Sequence, residues 1–126
     1  MLSILIPTYN TDITALITSL LDQTREAGVM YELVFCEDGS TLYQEQNSAL
    51  NALPNVRALK NESNLGRTAT RSKLAKSAQY DWLLFLDADV LIDNDQFIKN
   101  YLTALQSDSS IIVGGTSYIN TPPKNK

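Results

Sequence analysis

Two carboxylates, Asp87 and Asp89, stand two residues apart directly after the apolar run Trp82-Leu83-Leu84-Phe85-Leu86. Like charges this close raise each other's pKa unless a cation compensates them. A ligand set of oxygens, with no nitrogen or sulfur, favours Mg²⁺ or Mn²⁺. A metal held there can bridge to phosphate oxygens and neutralise charge on a leaving diphosphate. The bland alternative is an acidic loop, with Asp93 and Asp95 capping the helix that follows. A DxD pair is short enough to occur by chance.

Two other segments carry groups of the same kind. Asp38 follows the apolar run Leu33-Val34-Phe35-Cys36. Its carboxylate suits a base N–H or ribose hydroxyls. Equally, Glu37-Asp38-Gly39-Ser40 is a turn in which Gly39 takes unusual backbone angles, Ser40 caps a helix and Glu37 is solvated charge. In the basic segment Asn64 to Lys73, Gly66 at a helix entry lets the backbone approach a ligand, and Arg67 and Arg71 share one helix face. That arrangement suits a diphosphate. Lys73 and Lys76 read as an ordinary solvated face.

Alternating strands and helices must hold these groups. Leu2 to Ile6 is a short apolar run stopped by Pro7, which reads as a buried strand. Ile13, Leu16, Ile17, Leu20 and Leu21 fall on one helical face, with Thr11 or Asp12 as the cap and Gly28 past the end. Tyr31 to Cys36 is a second strand. A helix through Leu42, Ala49, Leu50 and Leu53 closes at Pro54, and Asn55 to Leu59 is a third strand. A polar loop over Lys60 to Asn64 leads to a helix over Arg67 to Gln79. Asp81 to Leu86 is the fourth strand. Asp93 and Gln96 form a capping box before a helix with Phe97, Tyr101, Leu102 and Leu105 inward. Ile111 to Val113 is a fifth strand candidate, and 121–126 is a polar tail. This alternation predicts one α/β domain over residues 1–120, a mainly parallel sheet with helices on both faces. Ligands bind such sheets beyond the carboxyl ends of the strands. Three polar clusters meet at that edge: Pro7-Thr8-Tyr9-Asn10, Glu37 to Ser40, and Asp87-Ala88-Asp89.

Composition removes several classes. With no histidine in 126 residues, imidazole catalysis and His-ligated zinc are excluded. A net charge of −4 argues against nucleic acid or an anionic membrane as the main partner. The single Cys36 excludes an internal disulfide, and its apolar neighbours make it a small buried residue. No apolar stretch reaches the ~20 residues of a membrane span, and no secretory signal is visible. The expected location is the cytoplasm, or the cytoplasmic face of a membrane in a longer protein. GxGxxG, GxxxxGK[ST] and GxSxG are all missing, so dinucleotide, P-loop and nucleophile-elbow chemistries are not expected.

Taken in order, Ser3-Ile4-Leu5-Ile6-Pro7-Thr8-Tyr9-Asn10, Val34 to Ser40, Asn64-Leu65-Gly66 with Arg71, and Phe85 to Asp89 resemble a family 2 glycosyltransferase of Rossmann-like GT-A fold. The resemblance covers nearly everything up to Asp89. It implies that Thr8 and Tyr9, beside Pro7, line the base pocket. It implies further that Asp38 contacts uracil or another base and that Arg71 faces the nucleotide. Asp87 then lies near ribose and metal, and Asp89 ligates the metal. It also implies a nucleoside diphosphate sugar donor, a UDP-sugar, for inverting transfer to a polysaccharide, lipid or protein. The sequence departs from the family pattern where Glu37 replaces the first Asp of DDGS. It departs again where Thr70-Arg71-Ser72 replaces Ala-Arg-Asn and where Val90 stands for a further Asp. Members continue into an acceptor-binding half that supplies an Asp or Glu base, and no base candidate is marked here. The chain is therefore expected to be a donor-binding portion, inactive alone, with an acceptor domain beyond it. Two rivals stay open. One is a phosphatase resembling the haloacid dehalogenase family with Asp87 as nucleophile, and the other is a non-enzymatic module on the same fold.

Overall fold

The computed structural model describes residues 1–92 and 94–106. Four parallel strands form one sheet in the order β3-β2-β1-β4: β1 (Leu2–Thr8), β2 (Tyr31–Asp38), β3 (Val56–Asn61) and β4 (Trp82–Phe85). The helices are α1 (Thr14–Ala27), α2 (Gln44–Ala49), α3 (Arg67–Ser77) and α4 (Phe97–Ala104).

β1 and β2 occupy the centre, and alternate side chains along them serve two cores. Ile4, Ile6, Leu33 and Phe35 face α1, whose Leu16, Ile17, Leu20 and Leu21 are all buried, and Ile98 of α4 joins them. Leu5, Val34 and Cys36 face Leu74 of α3. Burial on both faces is why these strands read as continuous apolar runs. Cys36 is the small buried residue that its neighbours predict. β4 is the exception. It lies outermost among the described strands, and only Leu84 is buried along it.

The boundaries differ from the sequence reading where a distant partner replaces a local cap. Ser40 does not cap α2: its Oγ accepts the Asn10 N–H, and α2 begins at Gln44. Asp12 accepts the Thr14 N–H, while the Ile13 N–H goes to Asn47 Oδ1 on α2. Asn94 Oδ1 accepts the Gln96 N–H, and Gln96 is the residue preceding α4. The Ile98 N–H there is met by Gln23 of α1. Ile98, missed from the inward set, is the fully buried residue of α4. Lys60 and Asn61, expected in a loop, extend β3. Asp93, the Ile111–Val113 strand candidate, the 120 boundary and the 121–126 tail lie outside the described residues.

At the amino ends of the strands, Glu32 fastens α3 to the sheet. It accepts the Ser3 hydroxyl, the Gln79 N–H and the Arg57 guanidinium, and Arg57 also donates to Ser77 O. Burial raises the Glu32 pKa, but these donors outweigh it and hold the carboxyl below its ordinary value. Asp38 is shifted the same way. A depressed folded-state pKa gives stability that is present above the unfolded pKa and lost as pH falls through the folded one. The urea midpoint is therefore expected to drop between about pH 5 and about pH 3, and less steeply in Glu32→Gln. Equal slopes in the two proteins would remove Glu32 from the acid response.

Candidate functional site

Beyond the carboxyl ends of the strands lies an open cleft of about 320 Å³. Pro7, Thr8 and Tyr9 line it from the end of β1, Asp38 from β2, Gly66 and Arg67 from the start of α3, and Asp87 and Asp89 from the loop after β4. All were expected at a site from sequence, and the parallel topology brings them to one place. Thr11, Asn64, Thr70 and Ala88 line it as well and were not expected. Asn64 sits inside the Asn64-Leu65-Gly66 motif and Thr70 lies one turn from Arg67, so the motif was the signal for the first and helical spacing for the second.

Arg71 is placed differently. It is not among the lining residues, and its guanidinium carbon lies 4.6 Å from the centroid of the Phe85 ring in a cation–π contact. Arg67 instead reaches the loop after β4 and pairs with Asp87 Oδ1. That pair is largely solvent-exposed, so it is a weak tie between α3 and the acidic loop.

Two loops meet around Asn10, which takes a φ of 48°. Its Oδ1 accepts the Thr41 and Leu42 N–H groups, and its own N–H goes to Ser40. Glu37 is buried, not solvated as its sequence neighbourhood suggested. Its Oε1 accepts the Asn47 amide, which also donates to Thr11 O, while Oε2 has no hydrogen-bond partner among the described residues.

Asp38 is the most heavily engaged carboxylate. Oδ1 accepts the Leu65 N–H at 2.8 Å and the Asn61 amide at 2.9 Å, and Oδ2 accepts the Gly66 N–H at 3.0 Å. Burial raises its pKa, but these bonds and one from Thr70 bring it below the ordinary value. Gly39 makes this possible. A Cβ there would lie 2.4 Å from Asn64 N, and its φ is +72°. Gly66 has open space around it but a φ of +95°, so conformation rather than crowding explains that glycine.

The donor set fits a hard cation that shares its shell with a ligand. Asp87 and Asp89 offer only oxygen. No cluster of three or more His, Cys, Asp or Glu able to hold a metal occurs among the described residues. Two carboxylates completed by phosphate oxygens and water are a usual arrangement for Mg²⁺ and similar ions.

The Glycosyl transferase family 2 profile matches residues 3–126. The chain belongs to that family. An uncharacterized glycosyltransferase of Haemophilus influenzae is 36% identical over 93 residues, which are 71% of this chain and 29% of that protein. Among solved structures, S. aureus TarS 1-349 in complex with UDP-GlcNAc aligns with a TM-score of 0.68 at 27% identity, covering 83% of this chain and 31% of that one. Glucosyl-3-phosphoglycerate synthase from Mycobacterium tuberculosis, in complex with Mn²⁺ and UDP, aligns at a TM-score of 0.62 and 20% identity, covering 83% and 38%. At that identity the likeness is one of fold. The family 2 chain thus has the GT-A architecture and spans about a third of the length of these relatives. Membership leaves the phosphatase reading of Asp87 without support. Among the described residues, no helix is long and apolar enough to cross a membrane.

Proposed function

We propose that the cleft is the donor site of a glycosyltransferase and takes a nucleoside diphosphate sugar, a UDP-sugar, together with Mn²⁺ or Mg²⁺. The observation that carries this reading is the meeting of Asp87 and Asp89 with Gly66 and Arg67 in one cleft. Anionic metal ligands and a cationic helix entry are what a metal–diphosphate needs on its two sides. Support comes also from TarS, seen with UDP and UDP-GlcNAc.

In this reading Pro7, Thr8 and Tyr9 form the base side of the pocket, and half-exposed Tyr9 offers a ring for stacking. Asp38 shapes the opposite wall through Leu65 and Gly66. Asp89 is the metal ligand, and Asp87 serves ribose and metal. A bound Mn²⁺ or Mg²⁺ supplies neutralisation of the leaving diphosphate. Arg67 adds positive charge on the same side, and Arg71 stands one turn behind it. The acceptor hydroxyl is deprotonated by an Asp or Glu outside this cleft, because Asp38 is engaged by internal donors and Asp87 and Asp89 serve the metal. Transfer then inverts the anomeric carbon. The 126 residues alone are proposed to bind donor without meaningful turnover, with the acceptor held by a further domain of the parent protein. The proposed location is the cytoplasm, on the sequence composition.

Calorimetric titration of UDP and UDP-glucose into the chain tests this reading. Binding is expected in Mn²⁺ and is expected to vanish in EDTA. Absence of binding in both conditions would overturn it.

A further inference from the structure

Behind the cleft wall is a buried polar relay that the donor-site reading does not use. Asn61 is 3% exposed at the end of β3. Its amide nitrogen donates to Asp38 Oδ1 at 2.9 Å and to Thr70 Oγ1 at 3.1 Å. Its amide oxygen accepts Lys73 Nζ at 2.8 Å, and Lys73 also donates to Lys60 O at 2.9 Å. Lys73 stays exposed, as expected from sequence, and its ammonium also acts as a strut on the end of β3. Thr70, 1% exposed, accepts the Asn61 amide through its hydroxyl oxygen.

The chemistry fixes every direction in this relay. An ammonium only donates and a carboxylate only accepts. The residue between them must accept on one side and donate on the other, which an Asn amide does and an Asp of the same shape does not. With Lys73 and Thr70 locking its amide, Asn61 holds the Asp38 carboxylate. Its remaining lone pairs then face the Leu65 and Gly66 N–H groups.

We propose that Asn61 and Thr70 are positioning residues that act through Asp38 to hold the Leu65–Gly66 backbone at the mouth of the donor cleft. Asn61 does not line the cleft, so its influence on a ligand passes through that backbone. The proposal rests on the donor-site reading. It explains how Gly66 keeps a φ of +95° with no neighbouring side chain pressing on it: two consecutive N–H groups are pinned to one carboxylate.

The test compares wild type, Thr70→Val, Thr70→Ser and Asn61→Asp by amide hydrogen exchange without nucleotide and by UDP titration in Mn²⁺. In Thr70→Val and Asn61→Asp, the Leu65 and Gly66 amides are expected to exchange about tenfold faster, with β1 and β2 amides unchanged. UDP affinity is expected to fall about five- to tenfold in both, and Thr70→Ser is expected to restore both readouts. Unchanged exchange at Leu65 and Gly66 would overturn the relay. Faster exchange with unchanged UDP affinity would overturn its positioning role. Should wild type bind no UDP, the donor-site reading fails and the role fails with it. Because exchange is read without nucleotide, that failure is distinct from a failure of the relay. If Asn61→Asp does not fold, Thr70→Val decides alone.

Discussion

Asp89→Ala is expected to lose metal-dependent UDP binding while keeping its fold. Asp89 lines the cleft and is exposed, and among the described residues it makes no ion pair or hydrogen bond. Asp87, by contrast, already answers to Arg67. Removing an exposed side chain without partners changes stability by no more than about 0.5 kcal/mol, so the binding result is not confounded by unfolding. Loss of an outer-shell partner of a metal ligand typically costs ~10–100-fold in affinity, and loss of a ligand itself is expected to exceed ~100-fold. Calorimetry with UDP in Mn²⁺ measures this directly. A variant that still binds UDP as tightly, and still releases it in EDTA, would take Asp89 out of the metal site.

Gly39→Ala is expected to damage both fold and site. The new Cβ would sit 2.4 Å from Asn64 N and 2.6 Å from Ser63 C, and both are backbone atoms that no rotamer change can move. The φ of +72° adds a left-handed penalty of about 1–2 kcal/mol for a residue with a Cβ. Overpacking of this kind costs about 1–3 kcal/mol more. Together these predict a loss of roughly 2–5 kcal/mol in urea unfolding, with UDP affinity reduced because Asn64 and Gly66 are pushed out of place. An unfolding free energy within about 0.5 kcal/mol of wild type would mean that the two loops separate freely.

Much of this was legible in the sequence because periodicity and strand ends are local signals. Leu2–Ile6 and Leu33–Cys36 announce strands buried on both faces. The spacing from Ile13 to Leu21 announces the helix over them. Once the strands are parallel, Pro7, Asp38, Gly66 and Asp89 have to share an edge. What was not legible depends on partners far away in the chain. Ser40 looks like a cap beside its own helix, yet it serves Asn10, thirty positions earlier. Asn61 and Lys73 look like polar loop and solvated face, and only the placing of α3 near the end of β3 links the buried amide to the exposed ammonium. Arg67 and Arg71 have equal claims on a ligand by spacing. The ring of Phe85 separates them, because it takes up Arg71. Glu37 looks like surface charge until α2 covers it through Asn47.

The order β3-β2-β1-β4 also sets how late the metal loop can form. Leu2 meets its β2 partner Tyr31 across 29 residues of chain but meets its β4 partner Trp82 across 80. Closing the longer loop costs more entropy, about 0.6 kcal/mol for each doubling of length, and such distant pairings slow folding. Asp87 and Asp89 reach Pro7 and Asp38 only through that last closure. A nascent or partly opened chain therefore has its β1–β2 centre before it has the proposed metal site. A ligand that binds only the assembled site shifts the equilibrium toward closure by mass action. Donor and metal would act as a late clasp on the edge strand, and their effect on unfolding should concentrate at β4.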